Sequence, residues 1–220
     1  MPTQKQVSYQ NINTYETRNE HTKNTKNVWI VFHGLGYLSR YFLRYFESLN
    51  PEENYIIAPQ APSKYYLGSK YKHVGACWLT KENTQLEKEN VLNYIDSVAD
   101  AEMLSTAKNL IVLGYSQGVS IATRWLASRQ IQCNHLILHS GAIPTELNKD
   151  DFSYLHTTTP VTYIYGNNDE YITEAKMTEQ SLKGSDLFGK RLEIRVFEGV
   201  HEVFKPYLLE VSLKNPTNFM

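Results

Sequence analysis

The sequence has little that would tie it to a membrane, a nucleic acid or an oxidising compartment. Cys77 and Cys133 are its only cysteines, too few for a disulfide framework and without the spacing of metal ligands. No apolar run approaches the roughly 20 residues of a membrane span. The first 25 residues, MPTQKQVSYQNINTYETRNEHTKNT, are polar, with no apolar stretch and no small-residue cleavage site, which argues against a signal peptide. Lys and Arg number 22 against 23 Asp and Glu, a net charge of −1, and no dense basic block marks a nucleic-acid footprint. No internal repeat or low-complexity linker interrupts the chain. These absences point to a cytoplasmic protein with two free thiols, acting on a small molecule as a monomer or homodimer, without nucleic acid and without integral membrane association.

What is present is an ordinary globular composition, 41% hydrophobic and 20% charged over 220 residues, which suits a single domain spanning residues 1–220. Sixteen tyrosines are many, but they are scattered and read as packing residues. Short apolar runs recur at Val28–Phe32, Tyr55–Ala58, Leu110–Leu113, Leu136–Leu138, Val161–Tyr165 and Leu192–Phe197. Most are continuous rather than alternating, as strands covered on both faces require. Helix-period segments lie between several of them. Leu86–Leu104 puts Val91, Leu92, Ile95, Val98 and Ala99 on one face, and Gln117–Arg129 does the same with Val119, Ala122, Trp125 and Leu126. A fainter pattern covers Tyr171–Lys183.

This alternation predicts an α/β fold with a mostly parallel central sheet and helices on both faces. Within the N-terminal region, residues 1–27, the alternating segment Val7–Thr14 reads as a half-exposed antiparallel edge strand. Residues 59–80, PQAPSKYYLGSKYKHVGACWLT, read as a long irregular loop, of the kind that is usually functional or mobile.

Gly114-Tyr115-Ser116-Gln117-Gly118 stands where a buried strand runs into a helix. In a parallel sheet ligands gather beyond the C-terminal strand ends. A nucleophile there projects from a sharp turn, and glycines two positions either side remove the collisions that turn creates. The helix N-terminus adds partial positive charge and a free N–H at Gln117, suited to an oxyanion. A serine hydroxyl also needs a base, and the base needs an acid to orient it.

Of the histidines after Ser116, His135 and His139 flank a buried-looking strand and read as packed or capped imidazoles, and His156 lies in a polar loop. His201 follows the run Leu192–Phe197 through a short loop, the position from which a base reaches the serine. Asp169 follows Val161–Tyr165 and is the candidate acid. A helix N-cap is its competing role, and Glu170 is its local competitor. His33-Gly34-Leu35-Gly36 follows an early strand directly. Its glycines allow close backbone approach, so the Leu35 N–H pairs with that of Gln117 as an oxyanion hole, with His33 holding the loop.

HGLG at 33–36, APQAP at 58–62, Trp78, GYSQG at 114–118, SG at 140–141, GNNDEYI at 166–172 and GVHEV at 199–203 follow one another in a family's order. Over roughly residues 28–212 the chain resembles the phospholipase/carboxylesterase family of the α/β-hydrolase superfamily, which includes the acyl-protein thioesterases and small bacterial carboxylesterases. The resemblance implies an α/β-hydrolase fold, Ser116 as nucleophile, Asp169 as acid, His201 as base, and the Leu35 and Gln117 amides as oxyanion hole. It makes 59–80 an active-site-flanking loop in which Trp78 lines the acyl site or packs the loop down. The chain departs from the family pattern at Val119, where a second glycine is usual, and at Leu79 and Thr80, where an aromatic and an acidic residue are.

The expected activity is a serine hydrolase of small to medium carboxylic esters, working through an acyl-enzyme and needing no metal or organic cofactor. Lysophospholipid or protein-bound thioester substrates are the alternatives within that chemistry. A hydrolase-like scaffold that binds without turnover is the alternative outside it.

Overall fold

The computed structural model describes residues 1–214, so residues 215–220 of the expected domain lie outside the described part. Seven strands form the main sheet: β1 (Tyr15–Arg18), β2 (Asn27–Phe32), β3 (Asn54–Pro59), β6 (Leu110–Tyr115), β7 (His135–His139), β8 (Val161–Gly166) and β9 (Leu192–Phe197). Their spatial order is β1-β3-β2-β6-β7-β8-β9. All neighbours pair in parallel except β1 with β3.

Every residue of β2, β3, β6, β7 and β8 is buried, which is why these strands read as unbroken apolar runs. The two-residue period still sorts their side chains. Val28, Ile30 and Phe32 enter one core layer, Trp29 and Val31 the other. The first layer is covered by α2 (Thr84–Ala101), α3 (Gln117–Arg129) and α4 (Glu174–Phe188), through Val91, Leu92, Ile95, Ile121, Trp125 and Leu187. The second is covered by α1 (Ser39–Phe42) and α5 (Lys205–Leu213), through Phe42, Tyr207, Leu208 and Val211. The fold is the α/β type expected.

Two expectations are corrected. The edge strand is not Val7–Thr14 but β1, immediately after it. In the β1–β3 register Tyr15 already faces Pro59, the last residue of β3, so anything before Tyr15 runs past the end of its partner. Val7 and Ile12 are accordingly exposed, and their alternation pairs with nothing. Residues 59–80 are also not irregular. β4 (Ser63–Leu67) and β5 (His73–Cys77) form an antiparallel hairpin, registered from Ser63↔Cys77 to Leu67↔His73. All of β4 is exposed, so no buried face imprinted a period on its sequence, although tyrosine-rich segments favour strands. The hairpin leans on the loop after β2, where the Gly36 N–H donates to Ala76 O at 2.8 Å.

Candidate active site

β6 ends and α3 begins at Ser116, whose backbone sits at φ +53°, ψ −118°. A side-chain-bearing residue there costs on the order of 1–3 kcal/mol, offset locally by hydrogen bonds. Ser116 N–H donates to His139 O at 2.8 Å, and its carbonyl accepts from Val119 N–H at 3.1 Å. The turn is tight enough that a methyl group on Gly118 would collide with the carbonyl of Phe32, and one on Gly114 with the Gly118 backbone. The glycines of the elbow are therefore required by close packing of β2, β6 and α3.

The loops after β6, β8 and β9 converge on this turn. His201 Nε2 lies 3.0 Å from Ser116 Oγ, and His201 Nδ1 lies 2.8 Å from Asp169 Oδ2. With its Nδ1 proton donated to the carboxylate, the imidazole offers Nε2 as acceptor for the serine hydroxyl. The Asp169 side chain is fully buried. Its other oxygen accepts the Tyr171 and Ile172 N–H groups at 2.9 and 3.2 Å. The helix-cap role falls elsewhere: α4 is capped by Thr173, whose hydroxyl accepts from Lys176 N–H. Glu170 is exposed. His156 is exposed too, on a loop tied to Gln132 and Arg191.

Two further elements approach Ser116. Gln117 is the first residue of α3, where backbone N–H groups have no partner within the helix. Across from it, the loop after β2 holds Leu35, with its neighbour's N–H already committed to Ala76. His33 pins that loop: its Nδ1–H donates to Gly34 O at 2.8 Å and its Nε2 accepts the Ala61 N–H at 3.1 Å. Trp78 is 1% exposed. Its indole N–H donates to His33 O at 2.8 Å, and its ring packs on Phe32 and His33, so it backs the loop rather than presenting an open wall.

Three contributors were not legible as such in the sequence. The Gln117 side chain staples the hairpin exit to the elbow, accepting from Trp78 N–H at 2.9 Å and donating to Leu79 O at 2.7 Å. The Tyr115 hydroxyl donates to His201 O at 3.0 Å. His139 Nε2 accepts the Phe204 N–H at 2.9 Å, fixing the far end of the His201 loop. Their signals, a glutamine and a tyrosine inside the elbow and a histidine ending a strand, say nothing about a partner without the fold. His135, at the other end of β7, bonds the Thr162 hydroxyl at 3.0 Å.

Burial holds three imidazoles neutral: His33 is lowered to about 4, His135 and His139 to about 3. An unfolded histidine takes up its proton near pH 6.5. Between these values the unfolded chain binds protons that the folded chain refuses, so stability falls as pH drops below about 6.5. At about pH 5 each group is expected to cost on the order of 1–2 kcal/mol relative to neutral pH. Thermal melts at about pH 7.5 and 5 measure it, and an unchanged melting temperature contradicts it.

A cavity of about 940 Å³ lies between residues 6–15 and α2. None of the residues just described lines it, and it holds no paired nucleophile and base. Among the described residues no group of three or more His, Cys, Asp or Glu is placed to hold a metal ion, and no helix is long and apolar enough to cross a membrane.

The family model of the phospholipase/carboxylesterases matches residues 13–212. The chain belongs to the phospholipase/carboxylesterase family. That family is one of ester hydrolases, and the chain is a hydrolase of this class. Solved structures agree in fold. Acyl-protein thioesterase 2 of Zea mays superposes with a TM-score of 0.65 at 17% identity, over 91% of this chain and 96% of that one. A phospholipase/carboxylesterase of Dyadobacter fermentans DSM 18053 gives 0.66 at 17% identity, over 94% and 99%. No curated protein sequence matches the chain.

Proposed function

We propose that the protein is a serine hydrolase that cleaves small to medium carboxylic esters, and thioesters of similar size, through an acyl-enzyme. The observation that supports it most is the unbroken hydrogen-bonded chain from Ser116 Oγ through His201 to Asp169, at 3.0 and 2.8 Å. Ser116 Oγ attacks the carbonyl carbon while His201 Nε2 takes its proton. Asp169 keeps the proton on Nδ1 and stabilises the imidazolium that forms. The N–H groups of Leu35 and Gln117 receive the developing oxyanion, and one such donor is typically worth about 3–4 kcal/mol. Since the Gly36 N–H is already bonded to Ala76, Leu35 is the donor the first loop has to offer. His201 then returns the proton to the leaving group and activates the water that frees the acid.

The same attack opens a thioester, the bond class named in the Zea mays relative's description, so the proposal spans both. Trp78 serves the acyl site from behind, by holding the His33 carbonyl. The two cysteines are free and buried, in keeping with action in the cytoplasm. Hydrolysis of p-nitrophenyl esters from acetate to palmitate tests the reading. Turnover that is greatest for the shorter chains is expected. Absence of turnover across the whole series would favour a scaffold that binds without catalysis.

A further inference from the structure

Chemistry at a serine sorts the space around it. The carbonyl oxygen turns toward the oxyanion donors, and the leaving group turns toward the imidazole nitrogen that gives it a proton. In the proposed reaction the leaving group therefore lies beside His201 Nε2, and the side chains flanking that ring are its neighbours. One exposed side chain is packed on that ring, from the loop that carries the acid: Tyr171, two positions beyond Asp169, is 64% exposed.

The Tyr171 ring packs edge-on against His201, with centroids 4.7 Å apart at 65°. Tyr115 also contacts His201, at 5.3 Å, but it is buried. Of the two aromatics only Tyr171 presents ring surface to an incoming molecule. Its backbone N–H donates to Asp169 Oδ1 at 2.9 Å, so the turn that holds the acid also fixes this ring. An isolated exposed tyrosine needs no explanation. One anchored between the acid and the face of the base is placed to touch whatever departs from it.

We propose that Tyr171 forms the leaving-group subsite and that this subsite takes a flat aromatic alcohol or thiol. The proposal rests on the serine-hydrolase reading above. In acylation the bond from Ser116 Oγ to the carbonyl carbon forms, and the bond from that carbon to the leaving oxygen or sulfur breaks. The proton taken from Ser116 passes from His201 Nε2 to the leaving atom, whose aromatic ring rests against the free surface of Tyr171. Deacylation takes place after that group has gone and does not use the subsite.

Benzyl, cyclohexylmethyl and methyl acetates share an acyl group and release alcohols of similar acidity, and kcat/KM reports the steps through acylation. Tyr171→Ala is expected to lower kcat/KM for benzyl acetate about five-fold more than for methyl acetate, the size of one aromatic contact. Tyr171→Phe keeps the benzyl preference, and cyclohexylmethyl acetate, of similar bulk without a π-face, falls between. Equal losses on benzyl and methyl acetate would mean that Tyr171 only holds His201, and would overturn the subsite. So would no loss on either. No turnover of any of the three by the parent protein, with Ser116 unlabelled by a fluorophosphonate, overturns the hydrolase reading and the subsite with it.

Discussion

Replacing Ser116 with alanine lowers kcat for p-nitrophenyl ester hydrolysis by on the order of 10⁵–10⁶-fold, as loss of the nucleophile does where serine and histidine act as a unit. Among the described residues Ser116 Oγ is the one hydroxyl bonded to His201 Nε2. Ser140 is buried beside His139, to which its own hydroxyl is bonded. The substitution removes one oxygen, whose partner is His201, and leaves the backbone bonds of the turn to His139 and Val119 in place. The variant is therefore expected to melt near the parent temperature. Steady-state rates set beside circular dichroism separate the two effects. A folded variant retaining activity within ten-fold of the parent would sink the assignment.

The second large effect is at the buried acid. Asp169→Asn keeps the shape of the side chain and one carbonyl oxygen, so the N–H groups of Tyr171 and Ile172 keep an acceptor. What changes is the group facing His201 Nδ1. An amide N–H donates there, the imidazole proton moves to Nε2, and the ring loses its capacity to take the serine proton. It also loses the negative charge that stabilises the imidazolium. Together these are expected to lower kcat by about 10⁴-fold with little change in KM. The carboxylate is fully buried, so no water replaces it. A fall of less than ten-fold would mean that Asp169 is a turn residue rather than the orienting acid, the role its two backbone bonds would also fill.

The parts of the molecule that were legible in the sequence are those where local pattern and tertiary role coincide. The central strands are buried on both faces, so apolar side chains fill most of their positions, and the runs at 28–32, 110–113 and 161–165 stand out. Gln117–Arg129 coincides with α3 because its amphipathic period and its start beside the Ser116 elbow mark the same boundary. Ser116, Asp169 and His201 were singled out because each lies just beyond the end of a strand, where a parallel sheet presents side chains to a ligand. The three side chains lie within hydrogen-bond distance of one another in the order Ser116–His201–Asp169.

The parts that were not legible are those whose pattern lacked a buried face or needed a partner far along the chain. β4 shows no period because solvent surrounds it. The alternation of Val7–Thr14 was real but fell beyond the end of β3. α1 spans only Ser39–Phe42, too short for a helical period to register. Gln117 was expected to supply a backbone N–H, and nothing in the sequence placed its side chain on Trp78 and Leu79, some 38 residues away. Tyr171 was read as part of the GNNDEYI stretch and as the start of a faint helical pattern, and its contact with His201 was not foreseen because it spans two separate loops.

Activation of Ser116 is read out by reaction of the folded protein with a fluorophosphonate followed by peptide mapping. One adduct per chain is expected, on Ser116, forming readily in the parent and far more slowly in Asp169→Asn. A protein that stays unlabelled, or that carries its adduct on another residue, contradicts it.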